Sequence, residues 1–402
     1  MKGKVLVLGT DFQHSITVIR SLARAGYYVI VGRAASDRSY TENSRSVSGV
    51  WEYRSSLDNP RQFVSELAAE AAAEDISLVF PVGEGQLSAI DSARGLLPAD
   101  LPVVIPEKHA LWTCLQKDSA YTLAQEAGVP VPSQAVARNL RELKEAAAVV
   151  GFPCVVKPQE SQRPFFGRKA VICDSPDMLA QSLPEWPNGN DLLIVQSRSS
   201  GRRHNCDLLA ERGKLIEYFE MAIRRTNRYD GTGLSVDLVS VRPTPSLQDH
   251  CRRILAKLDY TGPAMIQFIV DEESGEARFL EINPRLDAFC GAARAAGCDM
   301  PARAARLYLE GSEPPTIESG TYRIGHRTHW LRGDILGLRY EMKNQRIDRM
   351  TALRWAARIP WCFVRADSHL TWDWRDPRPT LTLFARLLDG KRPFRFVARH
   401  QL

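Results

Sequence analysis

Over the first 110 residues, short apolar runs alternate with amphipathic stretches. Residues 4–9 (KVLVLG) are a continuous apolar run, residues 16–23 carry apolar side chains at helical spacing, and residues 27–32 (YYVIVG) are apolar again. Such runs are typical of parallel strands buried on both faces, which are joined by helical crossovers. The segments SLVFPVGE and PVVIP extend the pattern with two more candidate strands. We therefore predict a doubly wound parallel α/β domain over residues 1–110.

Beyond this domain the pattern changes to mixed strands and helices. Residues 111–127 predict a helix that ends at a glycine, and FPCVVKP predicts a buried strand that carries Lys157. Two alternating runs, MIQFIV and ARFLEINP, flank the turn DEESGE and predict an antiparallel pair. We expect an α+β domain of two subdomains over residues 111–310, followed by a linker rich in Gly, Pro and Ser over residues 311–320.

Composition indicates a globular chain with more than one core. The 402 residues are 44% hydrophobic and 25% charged, and no stretch approaches the roughly 18 to 20 apolar residues that cross a bilayer. The initial run MKGKVLVL is too short for a secretory signal. The eight cysteines lack the spacing of a metal site or a disulfide framework. We expect a cytoplasmic protein.

The net charge of +6 is unevenly distributed. Residues 321–402 contain 17 Lys or Arg and 7 Asp or Glu, together with five of the eight tryptophans. We expect this basic C-terminal extension to pack on the preceding domain, since Trp and Arg stems both bury well. The run TALRWAARIPWCFVRA would also suit anionic lipid or a nucleic acid. We keep peripheral contact with the inner membrane surface as the alternative and expect no nucleic-acid partner.

Polar side chains alternate along the second strand of the predicted antiparallel pair. Glu281, Asn283 and Arg285 are spaced by two and therefore share one face, and Gln267 on the first strand can lie across from them. Carboxylate and amide oxygens suit Mg²⁺, and a neighbouring arginine suits a transferring phosphoryl group. A surface ion pair between Glu281 and Arg285 is the plain alternative.

The run LEINPR, which contains these residues, closely resembles the metal-binding strand of the ATP-grasp superfamily, in its carbamoyl-phosphate-synthetase-like or carboxylate–amine ligase form. Three further segments resemble family motifs and occur in the family's order. These are LQKDSAYTLAQEAGVPVP, GFPCVVKP and LLIVQS, the last followed by Gly201. The resemblance spans roughly residues 1–310 and rests on the ordered set of motifs.

This resemblance implies roles for individual residues. Four residues would contact ATP: Lys117, Lys157, Gln196 and His204. The lysines would bind phosphates, Lys157 and Gln196 would contact the adenine, and His204 would contact the ribose. Three residues would hold Mg²⁺ or Mn²⁺: Gln267, Glu281 and Asn283. Arg285 would be the catalytic residue that stabilises the transferring group.

Some features depart from the family pattern. The loop SQRPFFGRKA has one glycine where the family has a glycine-rich phosphate loop, and the hinge lacks its usual acidic residue. Gln267 stands where Glu or Asp is commoner, so we expect weaker Mg²⁺ affinity. The plain alternatives are an edge-strand lysine for Lys157, a helix-surface charge for Lys117 and a solvated loop residue for His204.

The resemblance implies an ATP-dependent ligase that joins a small carboxylate to an amine through an acyl phosphate. Two alternatives remain, a non-catalytic nucleotide-binding or scaffold protein and an ATP-dependent carboxylase or carbamoyl-type enzyme. A nicotinamide-dependent oxidoreductase fits poorly because LGTDFQHS lacks the GxGxxG fingerprint. A second basic cluster, IRRTNRYDGTG, contains Arg224, Arg225 and Arg228. It would suit a substrate carboxylate or, equally, a charged strand end and turn.

Overall fold

The structure is a computed structural model. It describes residues 2–35, 39–159, 165–166, 170–311 and 321–388, with side chains described as far as residue 386. The predicted linker therefore lies outside the described residues, apart from Gly311. Most of the loop SQRPFFGRKA lies outside them as well, including its glycine.

A four-stranded parallel sheet forms the N-terminal part of the chain, in the order β3-β2-β1-β4. Its strands are β1 (Lys4–Leu8), β2 (Tyr28–Ala34), β3 (Gly49–Tyr53) and β4 (Ile76–Pro81). The helices of this part are α1 (Ser15–Arg24), α2 (Pro60–Ala73) and α3 (Glu84–Ser92), with 3₁₀ turns at Tyr40–Asn43 and Arg94–Leu96. The predicted parallel α/β class is confirmed. PVVIP is not a strand of its own and contributes a bridge between Val79 and Val103.

A second, antiparallel sheet has the order β5-β8-β6-β7. Its strands are β5 (Gln134–Ala137), β6 (Cys154–Pro158), β7 (Val171–Cys173) and β8 (Leu193–Ser197). The helices are α4 (Lys108–Leu115), α5 (Lys117–Glu126), α6 (Leu140–Val150) and α7 (Pro176–Ser182). The single helix predicted over residues 111–127 is wrong, because Gln116 adopts an extended conformation and separates α4 from α5. This break makes Lys117 the first residue of α5.

A seven-stranded sheet has the order β13-β12-β9-β10-β11-β14-β15 and is antiparallel except for the β14–β15 pair. Its strands are β9 (Arg202–Glu211), β10 (Lys214–Thr226), β11 (Ser235–Ser240), β12 (Gly262–Val270), β13 (Ala277–Asn283), β14 (Arg327–His329) and β15 (Ser368–His369). Helices α8 (Pro245–Lys257), α9 (Cys290–Ala295) and α10 (Met300–Glu310) accompany it. The predicted antiparallel pair is present as β12 and β13.

The large sheet is covered on both faces. One face packs with β1, β2, α1, α9 and α10 in a core that includes Leu209 and Phe219. The other face packs with α5 and α8 in a core that includes Tyr218 and Phe268. A side chain's position along a strand therefore decides which of two very different environments it enters.

The C-terminal extension supplies β14 and β15 of the large sheet and three helices, α11 (Leu331–Lys343), α12 (Arg349–Arg365) and α13 (Arg378–Leu388). Trp330 and Trp355 are buried, whereas Trp361 and Trp374 are exposed. The extension thus packs on the preceding domain but leaves part of its aromatic surface open. Among the described helices, none combines the length and apolarity needed to cross a membrane.

Candidate functional site

A row of polar side chains crosses three strands of the large sheet. Asn205 on β9 lies opposite Gln267 on β12, which lies opposite Glu281 on β13. Because side chains two residues apart share a face, the same surface also carries three further polar residues. These are Arg203, Asp207 and Asn283. The predicted metal ligands Gln267, Glu281 and Asn283 are thus brought to one face of the sheet.

Glu281, Asn283 and Arg285 form a connected chain of polar contacts that reaches the N-terminal domain. Asn283 Nδ2 donates to Glu281 Oε1 at 3.2 Å, and Asn283 Oδ1 accepts from Arg285 Nη2 at 3.2 Å. The Arg285 guanidinium also donates to Glu84 Oε1, from Nη2 at 2.8 Å and from Nε at 3.1 Å. Arg285 is therefore an internal bridge between β13 and the start of α3, and the ion pair that it forms is with Glu84.

Glu84 is a site residue that the sequence reasoning missed. It begins α3, directly after β4, and lines a pocket together with Lys117, Tyr121, Glu281 and Asn283. The sequence could have indicated Glu84 through its position just after a predicted parallel strand, because α/β sheets bind ligands at the carboxyl ends of their strands.

Lys117 also lines this pocket. Its Nζ donates to the carbonyl oxygen of Gln159 at 3.3 Å, and its backbone N donates to the same oxygen. Gln159 immediately follows β6, so Lys117 connects the start of α5 with the end of β6. The plain alternative of a solvated helix-surface charge does not apply, because the side chain is buried.

Lys157 and Gln196 meet on the second sheet. Lys157 Nζ donates to Gln196 Oε1 at 2.9 Å and to the Tyr121 hydroxyl, which in turn donates to the carbonyl oxygen of Leu280 on β13. Burial lowers the pKa of Lys157 to about 8, against the opposing charge of Glu281. Gln196 Nε2 is buried and has no hydrogen-bond partner within the described part of the chain. It is therefore a donor available to a ligand.

The structure does not bring His204 to this pocket. His204 lies on the opposite face of β9 from Asn205, where its Nδ1 lies 2.8 Å from Glu220 Oε1. Glu220 also accepts hydrogen bonds from Tyr218 and Thr244. The predicted ribose contact is thus not supported by the geometry, and neither is a solvated loop, since His204 belongs to a strand.

The neighbours of His204 occupy the polar face instead. Arg203 donates to the carbonyl oxygen of Gly233 at 3.0 Å and to Ser235 Oγ at 3.1 Å. Burial lowers the pKa of the Arg203 guanidinium, whereas the nearby Glu281 and Asp287 raise it. The sequence reasoning missed Arg203, although it shares the RRHN run with His204.

Asp207 is a buried acid on the same face. Neither of its carboxylate oxygens has a hydrogen-bond partner within the described residues. Burial, followed by the charge of Asp287, raises the pKa of Asp207 well above its usual value. Asp287 itself accepts from Asn205 Nδ2 at 3.0 Å. Asp207 and Asp287 are thus two buried acids with raised pKa values close to the charge of Arg285.

The basic cluster after β10 has structural partners. Arg225 forms two hydrogen bonds to Asp334 of α11, and the Arg228 guanidinium lies 3.8 Å from the centre of the Tyr340 ring. Arg224 lies 3.7 Å from Asp237. These contacts favour the interpretation of this cluster as a charged strand end and turn over its interpretation as a site for a substrate carboxylate.

Acidic, histidine and cysteine side chains alone do not form a metal centre. No group of three such residues among those described could hold a metal ion. A cation on the polar face would have to use amide oxygens beside the Glu281 carboxylate, as the predicted set of Gln267 and Asn283 supplies. All eight cysteines are buried, as expected for small core residues.

A family model described as "Carbamoyl-phosphate synthase L chain, ATP binding domain" matches residues 237–311. The carbamoyl phosphate synthase arginine-specific large chain of Bacillus subtilis (strain 168) is 23% identical over 287 residues, which cover 69% of this chain and 26% of that protein. The chain thus spans about a quarter of the length of this curated relative. The matched family segment contains Gln267, Glu281 and Asn283.

Solved structures share the fold over most of the chain. N5-carboxyaminoimidazole synthetase from Staphylococcus aureus, complexed with ADP, has a TM-score of 0.64 at 12% identity and covers 81% of this chain and 80% of its own. The L-amino acid ligase from Bacillus licheniformis has a TM-score of 0.61 at 13% identity, covering 81% and 78%. The biotin carboxylase domain of Hydrogenobacter thermophilus 2-oxoglutarate carboxylase has a TM-score of 0.64 at 15% identity, covering 81% and 73%. The matched family model and these structures all belong to the ATP-grasp superfamily, which the motifs of this chain resemble, and the chain shares the fold of these structures.

Proposed function

We propose that this chain uses Mg-ATP to activate a small carboxylate as an acyl phosphate and then joins the acyl group to an amine. The observation that carries the proposal is the pocket in which Lys117, Glu281, Asn283 and Glu84 converge, with Arg285 bound to two of them. The shared fold with ligases and carboxylases supports the same reaction class.

The proposed reaction has two displacements. A carboxylate oxygen attacks the γ-phosphorus of ATP, the bond from that phosphorus to the β–γ bridging oxygen breaks, and ADP leaves. The amine nitrogen then attacks the acyl carbon, the carbon–oxygen bond to phosphate breaks, and the nitrogen loses a proton. Both steps depend on positioning and charge neutralisation more than on a strong base.

The residues of the polar face fit a hard divalent cation. The Glu281 carboxylate and the amide oxygens of Gln267 and Asn283 are the oxygen ligands such an ion prefers. Mg²⁺, or Mn²⁺, would supply positive charge next to the phosphate oxygens when bound. Asn283 Oδ1 already accepts one hydrogen bond from Arg285, which fixes the amide with its oxygen toward the arginine.

The remaining roles follow from position. Lys117 and Lys157 would neutralise phosphate oxygens, and the buried Nε2 of Gln196 would donate to the nucleotide base. Arg285, held by Glu84, would contact the transferring phosphoryl group. Arg203 would add a further cation beside Glu281.

A phosphate-release screen over amino acids, small amines and hydroxy acids tests the proposal. Bicarbonate belongs in the screen because similar structures are named as carboxylases. We expect release that requires ATP, Mg²⁺ and an added acid, and that Glu281→Ala abolishes. Nucleotide binding without substrate-dependent release across the screen would instead favour the non-catalytic alternative.

A further inference from the structure

Helix α12 has two apolar stripes on opposite sides. The inward stripe consists of four buried residues: Ala352, Trp355, Ile359 and Cys362. The outward stripe consists of five exposed residues, each three or four positions from the next: Met350, Leu353, Ala357, Trp361 and Val364. Residues at this spacing share one helix face. The inward stripe accounts for packing on the protein, so the outward stripe needs another explanation.

The apolar side chains of the outward stripe are strongly exposed to solvent. Leu353 is 64% exposed, Trp361 58% and Val364 80%. Isolated apolar side chains on a surface are ordinary, but a contiguous exposed row of them marks an interaction site.

The flank of this stripe is cationic. Arg354, Arg358 and Arg365 are exposed and follow one side of the stripe at helical spacing. Between residues 349 and 365 the sequence has no Asp or Glu. The Arg365 guanidinium also lies 4.2 Å from the centre of the Trp361 ring, so charge and aromatic surface adjoin directly.

We propose that the outward face of α12 binds an anionic lipid surface. The aliphatic side chains and Trp361 would enter the boundary between headgroups and acyl chains, while the flanking arginines bind lipid phosphates. A helix of this kind, with aliphatic and Trp residues on one side and arginine beside them, is suited to lie in the plane of a membrane interface. Long arginine stems let the charge reach the headgroups while their methylenes cover apolar surface.

Two other partners fit less well. In a two-fold contact between copies of this helix, the unbalanced arginines would repel, because the helix contains no acid to pair with them. A nucleic acid would match the charge but not the aliphatic row of Met350, Leu353 and Val364, since such interfaces are polar and use aromatic stacking rather than aliphatic side chains.

Vesicle co-sedimentation of the full chain tests this inference. We expect binding to vesicles that contain phosphatidylglycerol, weakening as salt rises, and little binding to pure phosphatidylcholine. Leu353→Asp with Trp361→Asp should weaken binding on the order of tenfold or more, because it removes two apolar insertions. Arg354→Gln and Arg358→Gln should each weaken it about fivefold and reduce the salt dependence.

Matched controls use exposed residues on α6. Val149→Asp and Arg141→Gln should leave vesicle binding unchanged, and all variants should keep the wild-type thermal midpoint. The inference is overturned by equal binding to neutral vesicles, by loss of binding in the α6 variants alone, or by absence of vesicle binding. Self-association or single-stranded DNA binding that the α12 variants abolish, with no vesicle binding, would assign the surface to that other partner. None of these outcomes bears on ATP use, so this test is independent of the proposed reaction.

Discussion

Lys157 is a lysine whose charged side chain is buried. Its ammonium is buried, donates to Gln196, and lies 4.7 Å from the centre of the Tyr121 ring. Burial lowers its pKa to about 8, so a modest rise in pH removes the charge. In the proposed function the charged form of Lys157 binds phosphate, so the protonation of Lys157 should change the affinity for the nucleotide.

We predict that nucleotide affinity falls as pH rises through about 8. Lys157→Met should weaken ADP binding at pH 7 roughly 10- to 100-fold, the value of a hydrogen bond to a charged group, and should remove the pH dependence in this range. Isothermal titration calorimetry at pH 7 and pH 9 provides the measurement.

The exposed Lys144 of α6 supplies the matched control, and Lys144→Met should bind ADP like the wild type.

The stability of the fold should change with pH in the direction opposite to the nucleotide affinity. The folded pKa lies below the unfolded value of 10.5, so the free energy of unfolding should rise between about pH 8 and 10.5. An ADP affinity of the wild type that is constant across pH 8 would contradict the assignment of Lys157.

The sequence predicted which residues share the polar face on β13 but not on β9, because only β13 alternates polar and apolar residues around the site. In β13, polar and apolar residues alternate, so the shared face of Glu281 and Asn283 follows from the pattern alone. In the run RRHNCD of β9, nearly every position is polar, and the pattern does not say which half of the side chains faces the site. The resemblance points to His204 in this run, whereas the strand places Arg203 and Asn205 on the polar face.

Among the elements, α11 and α12 share one buried carboxylate with two strands of the large sheet. Asp334 accepts two hydrogen bonds from Arg225, one from His329 Nε2 at 2.9 Å and one from Trp355 Nε1 at 2.6 Å. These donors come from β10, β14 and α12. A single acid thus fixes the relative position of four elements.

We predict that Asp334→Ala lowers the free energy of unfolding by about 3–5 kcal/mol, because it leaves Arg225 buried without its counter-charge. Asp348, the exposed N-cap of α12, provides the comparison. Asp348→Ala should cost much less, because it removes one N-cap hydrogen bond at an exposed position. Urea denaturation followed by tryptophan fluorescence measures both, and equal losses would show that the Asp334 network adds little.

The elements themselves were only partly predictable. The β12–β13 pair was readable because alternation and a turn signal agree. The break between α4 and α5 was not, since Gln116 carries no Pro or Gly signal and the next residue, Lys117, bonds to Gln159, which is distant in sequence. The strands β14 and β15 span only three and two residues and leave no periodic trace.

At the scale of the whole molecule, the C-terminal extension is bound to the N-terminal domain. The buried Arg20 of α1 donates to Asp376 Oδ2 at 2.9 Å and to the carbonyl oxygen of Thr371 at 2.8 Å. Asp376 also accepts from the backbone N of Arg45 at 3.1 Å. Segments more than 300 residues apart thus form one polar cluster. Sequence patterns could not reveal it, because such pairing depends on the assembled fold.

We predict that Asp376→Ala lowers the free energy of unfolding by about 3–5 kcal/mol, since the buried guanidinium of Arg20 would lose the carboxylate that balances its charge. Asp373, which pairs with the half-exposed Arg24, is the matched control three residues earlier. Asp373→Ala should change the free energy by no more than about 1 kcal/mol. Differential scanning calorimetry measures the unfolding temperature of both variants. Equal unfolding temperatures would contradict the importance of the Arg20–Asp376 pair.

In the proposed function, Glu281, with Gln267 and Asn283, holds a divalent cation beside a bound nucleotide. Electron paramagnetic resonance of Mn²⁺, titrated into the protein with ADP present, measures this binding. We expect that Glu281→Gln weakens Mn²⁺ binding about tenfold or more, because a ligating carboxylate is neutralised. Glu276→Gln, an exposed change on the turn of the same hairpin, should bind Mn²⁺ like the wild type. Equal Mn²⁺ affinity of Glu281→Gln and the wild type would contradict the account.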